Sequence, residues 1–176
     1  APSYLSITND SVEIRDAKHL WGMTTSETDE TIKGELGEKV RSLCIGPAGE
    51  RLVRFACAIS DKRAAGRGGT GAVMGSKNLK AIALRGDGAT EIYNSVSLKE
   101  PVKELLKEMT TNLGLKDRRK YGTPAVVDFV NELGVFPTRN YLKATFEGAD
   151  KINAKSLVDR LVGKNVTCYT CPIGCG

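Results

Sequence analysis

The sequence predicts an α+β protein in which a β-rich N-terminal part, residues 1–88, is followed by an all-helical part, residues 89–176. Three observations carry this expectation. Short apolar runs of strand length, broken by Gly, Pro and Asn-Asp, fill the first half. Apolar residues recur at helical spacing through the second half. The change falls near Asp87-Gly88, a pair suited to a turn between units. With 176 residues, 40% hydrophobic and 27% charged, the chain has enough apolar material for one domain or two small ones.

The elements follow in order. Tyr4, Leu5 and Ile7 face Val12 and Ile14 across Asn9-Asp10, a hairpin signal over residues 4–15. Thr24 and Glu27 have capping-box spacing and Gly37 can end the helix between them, roughly 26–36. Strand-like runs follow at Ser42–Ile45, Leu52–Ile59 and Ala81–Leu84. Beyond the boundary, Ser97 and Glu100 form a second capping-box pattern, with Pro101 in the first turn. Val102, Leu105, Leu106, Met109 and Leu113 then share a helix face up to Gly114. Thr123-Pro124 opens another helix ending at Gly134. Asn153 caps a third, with Leu157, Val158 and Leu161 inward and Gly163 beyond its end.

Between the strand-like runs lies Arg63-Ala-Ala-Gly-Arg-Gly-Gly-Thr-Gly-Ala-Val-Met-Gly75, with five glycines in ten residues. Glycine permits positive φ and close approach of the backbone to a ligand, and free N–H groups can then cradle an anion. Arg63, Arg67 and Lys77 add cations. Gly66, Gly68 and Gly71 satisfy the G-x-G-x-x-G spacing, but a dinucleotide site needs a full crossover helix before the next parallel strand. Only residues 72–80 are available, so that reading is rejected. Ser76 precedes Lys77 instead of following it, which excludes a Walker loop. A plain glycine-rich turn between strands remains the alternative.

Three of the five cysteines, Cys168, Cys171 and Cys175, crowd into eight residues spaced C-x2-C-x3-C among Pro and Gly. Such density brings thiolates together for an iron–sulfur cluster or a zinc ion. A redox dithiol at Cys168 and Cys171 is a further alternative, though it leaves Cys175 unexplained. Both metal centres normally take four ligands, so the stretch reads as part of a site, and the strand-like start at the other end also reads as a cut. An odd cysteine number with this clustering does not suit a secreted disulfide framework and points to a reducing, cytoplasmic setting. No apolar run approaches a membrane span, and the first residues are not a signal peptide. The net charge of +5 suits phosphate-bearing ligands or an acidic partner, while 6% aromatics argue against a base-stacking surface.

Taken together, several stretches resemble the tungsten-dependent aldehyde:ferredoxin oxidoreductase family. They are Asp16-Ala-Lys-His-Leu-Trp-Gly22, Ile45-Gly-Pro-Ala-Gly-Glu50 with Val53-Arg-Phe-Ala56, and Arg63-Ala-Ala-Gly-Arg-Gly-Gly69 running into Gly71–Ile82. Tyr121-Gly-Thr123, Pro137-Thr-Arg-Asn140 and the cysteine cluster complete the set. The resemblance implies a β-rich domain holding tungsten (or molybdenum) through two pterins, followed by helical domains with a [4Fe–4S] cluster. On that pattern residues 1–88 are the C-terminal portion of the pterin-binding domain and residues 89–176 the N-terminal portion of the cluster-binding domain. Arg63, Ala64, Gly66 and Arg67 match cofactor contacts, and Cys168, Cys171 and Cys175 match the first three cluster ligands. The fourth ligand, the second pterin motif and the acid and histidine near the metal have no counterpart in this chain, and catalytic residues stay unassigned. The implied partners are an aldehyde and ferredoxin, without nucleic acid or membrane; a homo-oligomer is left open.

The other singular residues have plainer readings. Cys44 and Cys57 sit in apolar runs as buried small hydrophobes. His19 reads as a surface residue, Arg118-Arg119-Lys120 as a solvated helix end, and Trp21 and the methionines as core. The competing function is a non-enzymatic zinc module contacting nucleic acid through a basic face.

Overall fold

A computed structural model describes residues 1–161, 163 and 165–175. The chain divides into two compact units, Ala1–Glu91 and Ile92–Gly176.

The first unit is built on one six-stranded mixed sheet of order β2-β1-β6-β3-β4-β5. Strands β1 (Ser3–Ile7) and β2 (Val12–Asp16) form the expected hairpin, with Ile7 opposite Val12 and the Thr8 N–H donating to the Ser11 carbonyl. Helix α1 (Thr25–Leu36) begins at the expected capping box: Thr24 Oγ1 accepts from the Glu27 N–H while Glu27 accepts from the Thr24 N–H. It ends at Gly37, whose φ of 98° few side-chain-bearing residues adopt. Then come β3 (Arg41–Cys44), α2 (Pro47–Glu50), β4 (Ala58–Ser60), β5 (Arg63–Ala65), α3 (Thr70–Ser76) and β6 (Leu79–Leu84). Strand β6 lies between β1, which it meets parallel, and β3, which it meets antiparallel. Tyr4, Leu20, Ile32, Val40, Cys44, Ala81 and Ala83 pack into one core, and Ile45, Ala58 and Met74 into a second.

The run Leu52–Ile59 is mostly not a strand. Leu52 is left-handed at φ 59°, the Val53 N–H bonds the Ala48 carbonyl, and the Ala56 N–H bonds that of Val53. These turn bonds use the backbone groups that a ladder would need, and only Ala58–Ser60 pairs. Helices α2 and α3 lie where no helix was expected. Each is too short to carry a readable period.

The second unit is helical, with one isolated bridge between Thr138 and Lys143 among the described residues. Helix α4 (Ser95–Thr111) starts two residues before the Ser97 box because the Asn94 side chain accepts from the Ser97 N–H. Pro101 therefore lies inside the helix, not in its first turn, and the helix stops at Asn112 before Gly114. Helix α5 (Lys116–Tyr121) contains Arg118-Arg119-Lys120. The stretch from Thr123 divides into a 3-10 turn, Thr123–Val126, and α6 (Val127–Glu132), ending at Leu133 before Gly134. Helix α7 (Ala149–Ile152) precedes α8 (Ala154–Arg160), which Asn153 caps as expected by accepting from the Ser156 N–H. No helix among the described residues is long and apolar enough to cross a membrane.

Lys80 is the unusual core residue. Its side chain is fully buried on β6 and its Nζ donates to Glu50 Oε1 at 2.5 Å and to the Met23 carbonyl at 2.8 Å. Glu50, 5% exposed, accepts the Gly22 N–H on both oxygens at 2.9 and 3.0 Å. Removing one partner leaves an uncompensated buried charge. Lys80→Ala should cost about 3–5 kcal/mol in denaturant unfolding. Lys33→Ala, which breaks the more exposed Asp29–Lys33 pair, should cost only about 0.5 kcal/mol.

Asp29 gives a pH signature. Burial raises its pKa, but hydrogen bonds from Lys33 and Ser42 outweigh that and hold it below the ordinary 3.8. Its stabilisation is therefore complete above the unfolded value and lost as pH falls through the lower folded one. Unfolding midpoints followed from about pH 5 to about pH 2 should fall less steeply in Asp29→Asn than in the parent.

Candidate functional site

The glycine-rich segment begins on β5, at one edge of the sheet, and runs around to α3. Arg63, Ala64 and Ala65 pair with Ser60, Ile59 and Ala58 on one side only. Arg63, Ala64, Gly66 and Arg67 are all exposed, so the structure places the four expected contact residues in one short surface stretch. Among the described residues neither the Arg63 nor the Arg67 guanidinium takes part in an ion pair. The segment is anchored behind them: Thr70 Oγ1 donates to the Ala65 carbonyl at 2.9 Å, and the Cys57 thiol lies 3.8 Å from the Gly66 carbonyl oxygen.

The five glycines do different work. A Cβ at Gly75 would overlap the Gly49 carbonyl, one at Gly69 the Arg54 carbonyl, and one at Gly71 would stand 2.5 Å from the Cys57 oxygen. These three let α3 lie backbone-to-backbone against α2 and the loop that follows it. Gly66 has nothing nearer than 3.9 Å to such a Cβ, and Gly68 nothing within 4 Å. The protein's own packing does not require glycine at 66, and at 68 only the φ of 85° does. The space beside these two residues is open to a ligand, and exposed Arg63 and Arg67 belong to the same short stretch. That donor set fits an anionic, hydrogen-bonding cofactor such as a pterin phosphate. Strands β5 and β6 are separated by β4 and β3, so the segment is no βαβ crossover, in keeping with rejection of a dinucleotide loop.

In the second unit, all three clustered cysteines are free thiols. Cys168 is exposed; Cys171 and Cys175 are half-buried. Left-handed Thr170 (φ 55°) and Gly174 (φ 66°) turn the chain, and the Cys171 N–H bonds the Cys168 carbonyl at 3.1 Å. Among the described residues no three Cys, His, Asp or Glu side chains converge to hold a metal ion. The donor chemistry fits a thiolate-ligated centre, while the thiols stand along the loop, not gathered on one point.

Two families of comparison bear on these features. Residues 1–86 match the aldehyde ferredoxin oxidoreductase N-terminal domain, and residues 100–176 match domains 2 and 3 of the same enzymes. The chain belongs to the aldehyde ferredoxin oxidoreductase family. It is 44% identical over 181 residues to the tungsten-containing aldehyde ferredoxin oxidoreductase of Pyrococcus abyssi, and 45% identical to that of Thermococcus kodakarensis. Each alignment covers 99% of this chain, which spans 29% of the length of either relative. The active-site complex BamBC of benzoyl-coenzyme A reductase, solved with 1,5-dienoyl-CoA, superposes with a TM-score of 0.74 at 30% identity. That superposition covers 99% of this chain and 29% of the other. The family thus accounts for an α+β chain that opens on a mixed sheet and continues in helices.

The remaining sequence expectations fare unevenly. Cys44 is buried, but Cys57 is only half-buried because it borders the open glycine segment. His19 is exposed and pairs with Glu35 at 2.7 Å. Trp21 and Met23 are half-buried; Met74 joins the core. The Glu50–Lys80 pair lies outside these expectations. Its readable signal is a lysine inside the apolar strand Leu79–Leu84, a position that demands a partner.

The division among the glycines is testable. Gly75→Ala should lower stability by several kcal/mol (about 2–4, as for overpacked backbone contacts), with Gly66→Ala within about 0.5 kcal/mol of the parent. Denaturation curves of the two variants, compared side by side, decide it.

Proposed function

We propose that this chain carries part of the cofactor-holding framework of a tungsten (or molybdenum) bis-pterin oxidoreductase that converts an aldehyde and water to a carboxylic acid, with two protons released and two electrons passed to ferredoxin. The observation that carries the proposal is the coincidence, in one family member, of an open arginine–glycine segment and three free, closely spaced thiols. Residues 1–88 would form the C-terminal portion of the pterin-binding domain, and 89–176 the N-terminal portion of the [4Fe–4S]-binding domain.

The residues have distinct tasks in this reading. Arg63 and Arg67 donate hydrogen bonds and neutralise the anionic parts of a pterin. Gly66 keeps its side of the loop free for close approach, and Ala64 presents backbone from the sheet edge. Cys168, Cys171 and Cys175 supply three thiolates, with a fourth ligand from outside the chain. When bound, the metal–pterin group supplies the two-electron chemistry and the cluster carries electrons outward one at a time. The chain's +5 charge favours an acidic redox partner such as ferredoxin, in a cytoplasmic setting.

Anaerobic metal analysis of the holoprotein tests the reading. About four irons with sulfide, tungsten or molybdenum, and extractable pterin are expected. Cys171→Ala should lose the iron, and Gly66→Val should lose tungsten and pterin while unfolding as the parent does. Zinc alone, without pterin or broad visible absorbance, would refute it.

A further inference from the structure

The loop that carries the three cysteines is fastened to one place, the C-terminal end of α5. Gly122 ends that helix, its N–H bonding the Arg118 carbonyl at 2.9 Å. Its backbone, φ 69° and ψ −156°, belongs to a region that only glycine enters at low cost. The following N–H, of Thr123, donates to the carbonyl of Cys175 at 3.3 Å, and Thr123 Oγ1 lies 3.4 Å from the same oxygen. Gly122 is buried, and a Cβ there would stand 3.1 Å from that oxygen. At the other end of the loop, Asn165 Nδ2 donates to the Arg119 carbonyl at 2.9 Å. Residues 165 and 175 are thus both held by one turn of chain, residues 119–123.

We infer that Gly122-Thr123 and Asn165 are positioning residues for the cysteine loop, which fix the backbone of Cys175 before any metal arrives. The inference deepens the cluster assignment proposed above and rests on it. The physical argument is entropic. Fixing one residue's backbone costs about 1–2 kcal/mol, and a loop already closed at both ends carries that cost in folding, not in metal binding. The contact also explains why glycine stands at 122: a side chain would push the Cys175 carbonyl away and disfavour the φ that turns the Thr123 N–H toward it. Thiolate-ligated centres depend on such outer contacts to orient their ligands.

The test uses the holoprotein and two variants, Gly122→Ala and Asn165→Ala, the second of which introduces no backbone strain. Iron release to a chelator is followed, and in the metal-free protein the alkylation rate of Cys175 is read by mass spectrometry against that of exposed Cys168. Both variants should release iron roughly 10-fold faster and alkylate Cys175 several-fold faster with the Cys168 rate little changed; the melting curve should stay close to the parent's in Asn165→Ala and shift down in Gly122→Ala, which carries the backbone strain. Parental iron release and Cys175 alkylation in both variants would overturn the inference. Should the parent itself hold no iron, the cluster assignment fails, and the metal-free alkylation rates still decide whether the loop is held.

Discussion

The first unit depends on a charge it has buried. Lys80 stands on β6 in the middle of the sheet, with Glu50 from the end of α2 against it and Met23 and Gly22 bonded to the pair. A buried ion pair adds little net stability over an apolar substitute, but it is satisfied in one arrangement only. Here that arrangement ties the end of α2 to β6 and brings the turn before α1 to the same point. With α2 so placed, the Gly49–Gly75 approach positions α3, and α3 in turn sets where the glycine segment leaves β5. The candidate pterin loop is therefore held by backbone packing behind it and left open in front.

That division resolves a common ambiguity in glycine-rich segments. Glycine serves packing and ligand approach through the same absence of a Cβ, so composition cannot separate the uses. Here the neighbours separate them. Gly69, Gly71 and Gly75 each face a backbone oxygen, whereas Gly66 meets nothing nearer than 3.9 Å and Gly68 faces open space, in a stretch that carries two exposed arginines.

The second unit is organised differently. Helix α4 has no buried residue, and the fixed points are polar: Asn94, Asn112 and Asn153 cap helix ends, and Asn165 ties a loop to a carbonyl. Asn131 likewise accepts the Phe146 N–H at 2.7 Å. Asparagine side chains thus satisfy backbone groups at several turns of this unit, and Asn165 does so beside the cysteine loop.

Much was legible in the sequence, for local reasons. The capping box at Thr24 and the Asn153 cap join residues three positions apart, and the β1–β2 hairpin joins residues no more than thirteen apart, so their bonds need only local chain. The cysteine spacing and the ordered motif stretches are likewise local, and they pointed to the family and to Arg63–Arg67. Tertiary contact decided the rest. Leu52–Ala56 has strand-like composition but turns, because Gly71 packs against the Ala56–Cys57 backbone and intrachain turn bonds take its donors. Lys80 finds Glu50 thirty positions away, and Thr123 finds Cys175 across fifty-two. Sequence alone settled which groups the chain carries and how its local turns form. Which of them meet was decided only when distant segments packed, because a buried charge or an unpaired carbonyl takes whatever partner the fold brings within reach.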